Sequence, residues 1–112
     1  MATVVQGHRA EKAVSDHLIN LGYQVLDRNW KTPICEIDII AKKQDTIFFV
    51  EVKYRINRLQ GEGFEYITAK KARQMDFAAR IWTAQNNWDG DYRLAAASVG
   101  GLDFTGIELV EL

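Results

Sequence analysis

The sequence predicts a single α/β domain, on three observations: two amphipathic helical stretches, a run of apolar strand segments between them, and a pair of further strands after the second helix. A chain of 112 residues is one domain long, so residues 1–112 are read as a single unit. With 47% hydrophobic and 26% charged residues, the composition is that of a folding domain and not of a disordered tail.

The first helix is expected from Gly7 to Leu21, where Ala10, Ala13, Val14, His17, Leu18 and Leu21 form one stripe and Gly22 follows as a stop. Glu11 sits on the edge of that stripe, beside Leu18. Strands are expected at Tyr23 to Trp30, at Cys35 to Lys42 after a break around Lys31 to Pro33, and at Thr46 to Arg55. The nearly continuous apolar centre Ile47, Phe48, Phe49, Val50 suits a strand covered on both faces. Arg58 to Gly63 reads as a polar loop. A second helix should run from an N-cap at Thr68 to about Asn87, burying Ala72, Met75, Ala79 and Trp82, with Lys70, Arg73, Phe77 and Arg80 on another side. Tyr92 to Val99 and Phe104 to Val110 close the order α-β-β-β-α-β-β, a mixed sheet of about five strands flanked by two helices.

Several function classes are excluded at this level. No apolar run approaches the roughly 20 residues that cross a bilayer, and the N-terminus has no leader pattern, so a cytoplasmic protein without a membrane partner is expected. Cys35 is the only cysteine, which rules out an intrachain disulfide; on an apolar strand it reads as a small hydrophobe. His8 and His17 have no partner ligands for zinc, and Trp30, Trp82 and Trp88 read as packing residues. A net charge of -1 argues against a general DNA coat, yet seven Lys or Arg face three acids between Lys53 and Arg80, a local +4.

The chemistry is concentrated in the middle hairpin. If Gln44 and Asp45 form a two-residue turn, Lys43 pairs with Thr46, which puts Asp38 opposite Glu51 and Glu36 opposite Lys53, all four on one face. Two opposed carboxylates with roughly 5 Å between their Cβ atoms repel, and a divalent cation such as Mg²⁺ or Mn²⁺ would relieve the conflict. Lys53 would add a positive charge beside them, able to assist a water or stabilise charge on a phosphate.

The stretches Pro33-Ile34-Cys35-Glu36-Ile37-Asp38-Ile39-Ile40 and Phe48-Phe49-Val50-Glu51-Val52-Lys53-Tyr54-Arg55 resemble the signature of the YraN-like family of small bacterial proteins. That family resembles the restriction-endonuclease-like PD-(D/E)xK nucleases and, among them, the archaeal Holliday-junction resolvases. The likeness covers about Gly7 to Ala84; it departs at Ala10, Cys35 and Leu94-Ala95, none of which is a carboxylate of the site.

The resemblance implies a restriction-endonuclease-like fold, Asp38 and Glu51 as metal ligands joined by the Val52 carbonyl, Lys53 as the catalytic lysine, and Glu11 as an acid directed into the site from the first helix. It further implies a DNA substrate, branched or recombination DNA in particular. The local positive charge puts Arg55, Lys70, Lys71 and Arg73 on its phosphates, and a domain this small is expected to meet a symmetric junction as a two-fold homodimer. The competing expectations are a non-catalytic nucleic-acid-binding or partner-binding module on the same fold, and a structural adaptor in a repair or secretion-related complex.

Overall fold

The computed structural model describes residues 3–55 and 67–112. In order these are α1 (Val4–Asn20), β1 (Gln24–Thr32), β2 (Cys35–Lys43), β3 (Thr46–Arg55), α2 (Ala69–Gln85), β4 (Asp91–Gly100) and β5 (Gly106–Glu111). The loop expected over Arg58 to Gly63 lies outside the described residues. The five strands form one sheet in the order β1-β2-β3-β4-β5, antiparallel throughout except for the parallel pair β3–β4. A parallel pair needs a crossover connection, which α2 provides.

The strand at the middle of this order carries the core. Ile47 and Phe49 point to the α2 side, where they meet Ala78, Ala79 and Trp82; Val50 and Tyr54 point to the α1 side, toward Ala10, Val14 and Leu18. Phe49 is fully buried and contacts Trp82 and Tyr92 edge to face, each with centroids 5.7 Å apart. The α/β class, the element order and the two-sided coverage of β3 follow the sequence expectation. Among the described residues no helix is long and apolar enough to cross a membrane.

Boundaries differ where local chemistry was overlooked. The first helix starts at Val4, not Gly7, because Thr3 and Gln6 form a capping box: the Thr3 side chain accepts from the Gln6 N–H at 3.1 Å, and the Gln6 side chain accepts from the Thr3 N–H at 2.9 Å. The expected break at Lys31 to Pro33 shrinks to a tight turn at Pro33 and Ile34, closed by the Thr32 hydroxyl accepting from the N–H groups of Ile34 and Cys35. Phe104 does not join the last strand. Its φ of 61° belongs to a turn, and its ring is buried in a stack on Tyr54 at 4.9 Å.

One polar contact ties the crossover helix to the sheet. The Tyr92 hydroxyl donates to Asp76 Oδ1 at 2.6 Å, while Asp76 Oδ2 pairs with Arg80 at 2.9 Å. Donation to the carboxylate raises the Tyr92 pKa, with burial adding to the shift. Tyr92→Phe removes this charged hydrogen bond and should lower stability by about 1–2 kcal/mol. The check is the urea midpoint, which should fall at constant m; an unchanged midpoint would show the bond to be dispensable.

Candidate functional site

The hairpin register places the acids. Gln44 adopts the left-handed conformation (φ 54°) in a two-residue turn, Lys43 pairs with Thr46, and the ladder continues to Ile39 opposite Val50. There it stops, one step before Asp38 and Glu51. Ile37 packs with Ile40 on the α2 side while Ile39 and Ala41 face α1, so strict alternation is interrupted beside Asp38. Freed from the ladder, Asp38 turns its Oδ2 to accept the Val52 N–H at 2.8 Å. The expected opposition of Glu36 and Lys53 is a correction for the same reason, since no ladder pair forms beyond Ile39 and Val50, and Glu36 pairs with Lys31 of β1.

The carboxylates of Glu51, Glu11 and Glu36 lie close enough to Asp38 to act on its charge. Burial, then Glu51, push its carboxyl pKa from 3.8 up to about 7; the Val52 N–H opposes the shift, and Glu11 and Glu36 add to it. Glu51 is also raised, by burial first, against the pull of Lys71, whose Nζ stands 3.2 Å from Glu51 Oε1. Glu11 reaches the same region from α1. Half-buried, it keeps an Oε2 atom that is buried and has no hydrogen-bond partner among the described residues. Three sequence-selected acids thus meet here: Glu51 and Glu11 raise the proton affinity of Asp38, and Glu11 raises that of Glu51.

Lys53 lies two residues beyond Glu51 on β3 and is exposed. Lys70, Lys71 and Arg73 line a groove of about 460 Å³ between α2 and the β1–β2 turn, together with Ile34, Glu36 and Phe77. Arg55 stands apart from that groove, its guanidinium 3.6 Å from the position a side chain on Gly100 would take. The Lys71–Glu51 ion pair escaped sequence reasoning. A usable signal existed: in a strand–helix–strand crossover the helix begins near the C-terminal end of its strand, so the first turn of α2 had to fall near Glu51.

Does this site suit a divalent cation? Among the described residues no three His, Cys, Asp or Glu side chains form a ready-made cage. Mg²⁺ commonly uses only one or two protein carboxylates, and the buried, unpartnered Glu11 oxygen beside Asp38 is an unmet demand for positive charge. Asp38, Glu51 and the Val52 carbonyl, the ligands that the resemblance implies, would offer hard oxygen throughout, which would suit Mg²⁺ or Mn²⁺ and not a thiophilic metal.

The chain matches the model of the Uncharacterised protein family UPF0102 over residues 10–99. It is 35% identical over 107 residues to a UPF0102 protein of Vibrio campbellii, covering 91% of this chain and 88% of that protein. A UPF0102 protein of Sulfurihydrogenibium sp. is 39% identical over 92 residues, covering 81% and 79%, and one of Lachnoclostridium phytofermentans is 38% identical over 82 residues, covering 73% and 70%. With most of both chains aligned in each case, and the two strand motifs inside the matched region, this chain belongs to UPF0102, the YraN-like family that its hairpin resembles.

Proposed function

We propose that this protein is a metal-dependent DNA endonuclease that hydrolyses phosphodiester bonds, with branched DNA as the substrate class. The observation that carries the reading is the gathering of half-buried Asp38, Glu51 and Glu11 where β2 parts from β3, with the pKa values of Asp38 and Glu51 raised by burial and by neighbouring carboxylates, the kind of perturbation that marks a functional-site candidate.

Asp38, Glu51 and the Val52 carbonyl would hold Mg²⁺ or Mn²⁺, which when bound supplies electrophilic stabilisation of a phosphodiester. The chain's own residues do the rest. The Val52 N–H fixes Asp38 Oδ2, which leaves Oδ1 as the oxygen that would take a metal. Lys53 holds a positive charge near the phosphate and stabilises the negative charge that builds on it during attack. Glu11 orients water by accepting a hydrogen bond on its unpartnered oxygen. Lys70 and Arg73 hold flanking phosphates without reading sequence. Two copies about a two-fold axis would engage a symmetric branched substrate.

The test is calorimetric titration with Mn²⁺, coupled to cleavage assays on branched, single-stranded and duplex DNA. Binding should vanish in Asp38→Ala; equal heats from parent and variant would refute the metal centre. A second reading, a nucleic-acid-binding module without catalysis, is favoured by the Lys71–Glu51 ion pair, which already neutralises one of the two ligands. DNA binding with no cleavage on any substrate would select it.

The electrostatic part makes a separate prediction. Lys70→Glu with Arg73→Glu leaves Lys71 on Glu51 and should weaken DNA binding. Loss of two phosphate contacts should flatten the log–log salt dependence by about 1.5–2. An unchanged slope, read by fluorescence anisotropy between 50 and 200 mM salt, would mean that another surface is used.

A further inference from the structure

On α2, Lys70, Arg73, Phe77 and Arg80 recur at spacings of three, four and three and therefore form one stripe. The helix buries Met75, Ala78, Ala79 and Trp82 elsewhere, so this stripe is not needed for the core. Phe77 is 50% exposed in the middle of it. Its ring borders the groove of about 460 Å³, a size within the roughly 300–1,000 Å³ of sites that take a small ligand. Across the groove, Ile34 offers an exposed apolar wall from the β1–β2 turn.

Two further facts orient the groove. Among the described residues, Lys70, Lys71 and Arg73 line it against one acid, Glu36, on a chain whose net charge is -1. Lys71, which lines the groove, has its ammonium 3.2 Å from Glu51 Oε1 and so links the groove to the acid cluster. Arg80 is held by Asp76 and adds little.

We propose that this groove takes unpaired nucleotides, a base stacking on Phe77 while the adjoining phosphates lie on Lys70 and Arg73 and the strand leads past Lys71 toward Asp38 and Glu51. The inference deepens the nucleic-acid reading above and rests on it. A phenyl ring has no donor or acceptor with which to read base edges; what it offers is a face, and only a base freed from its stack can use that face. Duplex DNA presents phosphates and edges instead, so an exposed aromatic between cations selects single-stranded segments such as those at flaps, forks and open junctions.

Fluorescence anisotropy of the full chain without divalent metal, on labelled oligo-dT and on a blunt duplex, separates the terms. Phe77→Ala should weaken oligo-dT binding about ten-fold and duplex binding by less than about two-fold, while Phe77→Tyr keeps the parent affinity. A strand of abasic sites should bind the parent about as weakly as oligo-dT binds Phe77→Ala. Lys70→Glu with Arg73→Glu should weaken both substrates. If that pair weakens binding while Phe77→Ala does nothing, charge alone holds the strand and the inference falls with the nucleic-acid reading intact. Equal loss on both substrates, or a changed sedimentation coefficient in Phe77→Ala, would overturn it in favour of a general surface or a contact between copies. A parent chain that binds neither substrate sinks both readings. Circular dichroism should show every variant folded.

Discussion

Asp38→Asn should melt at a higher temperature than the parent chain at pH 8 without divalent metal, and should be inactive. The asparagine keeps an oxygen to accept the Val52 N–H but carries no charge. In the parent, the folded-state pKa of Asp38 is raised from 3.8 to about 7 by burial and by Glu51. The native state therefore holds more protons than the unfolded state between those values. Stability must fall as pH rises through that window, with the loss complete above pH 7.

At about 1.4 kcal/mol per pKa unit the ceiling is roughly 4 kcal/mol, and screening at a half-exposed site reduces it to about 1–2 kcal/mol. For a domain of this length that is a rise in Tm of about 4–10 °C. The gain should shrink at pH 5, where the folded parent is largely protonated at Asp38. Saturating Mn²⁺ should reverse the order: at 100 times Kd it stabilises the parent by about 2.7 kcal/mol and leaves the variant where it was. Calorimetric melts at pH 5 and pH 8, with and without Mn²⁺, decide the matter. A parent at least as stable as Asp38→Asn at pH 8 would mean that the carboxylate is not under strain.

Lys53→Ala should fail in a different way. It leaves Asp38, Glu51 and the Val52 carbonyl in place, so Mn²⁺ should still bind, and more tightly once a nearby positive charge is gone. Cleavage should nevertheless fall by about 10²–10³, the scale for losing one preorganised group that stabilises transition-state charge. Because Lys53 is exposed on β3, its melting temperature should stay within a few degrees of the parent's. Loss of metal binding together with cleavage would make Lys53 part of the folded frame and not of the chemistry. Cleavage at the parent rate would reduce it to a charge on a strand face.

These variants probe residues that were legible in the chain to different degrees. The register that brings Asp38 and Glu51 near each other was readable only on the condition of a two-residue turn at Gln44 and Asp45, which the ladder has; a one-residue slip would turn Ile39 and Val50 out of the core. The central place of β3 was readable too: a run as apolar as Ile47 to Val50 must be covered on both faces. The helix stripes followed from their period, and the N-cap at Thr68 from its side chain, which accepts the Lys71 N–H.

What the chain could not reveal by itself are relations between elements. Where the ladder ends, the broken alternation at Ile37 aims Asp38 at a backbone N–H instead of at its neighbour's carboxylate. The same holds for Lys71, which the local charge pattern assigned to phosphate and which tertiary packing seats on Glu51 through the crossover helix. Glu11, an edge residue by its own helix, acquires a buried oxygen only because α1 crosses the sheet beside Asp38. Periodicity reports which side of its own element a residue occupies. The partners waiting on that side are set by tertiary packing, which joins Asp38 to Val52, Glu51 to Lys71 and Glu11 to Asp38 across the chain and leaves no mark on local pattern.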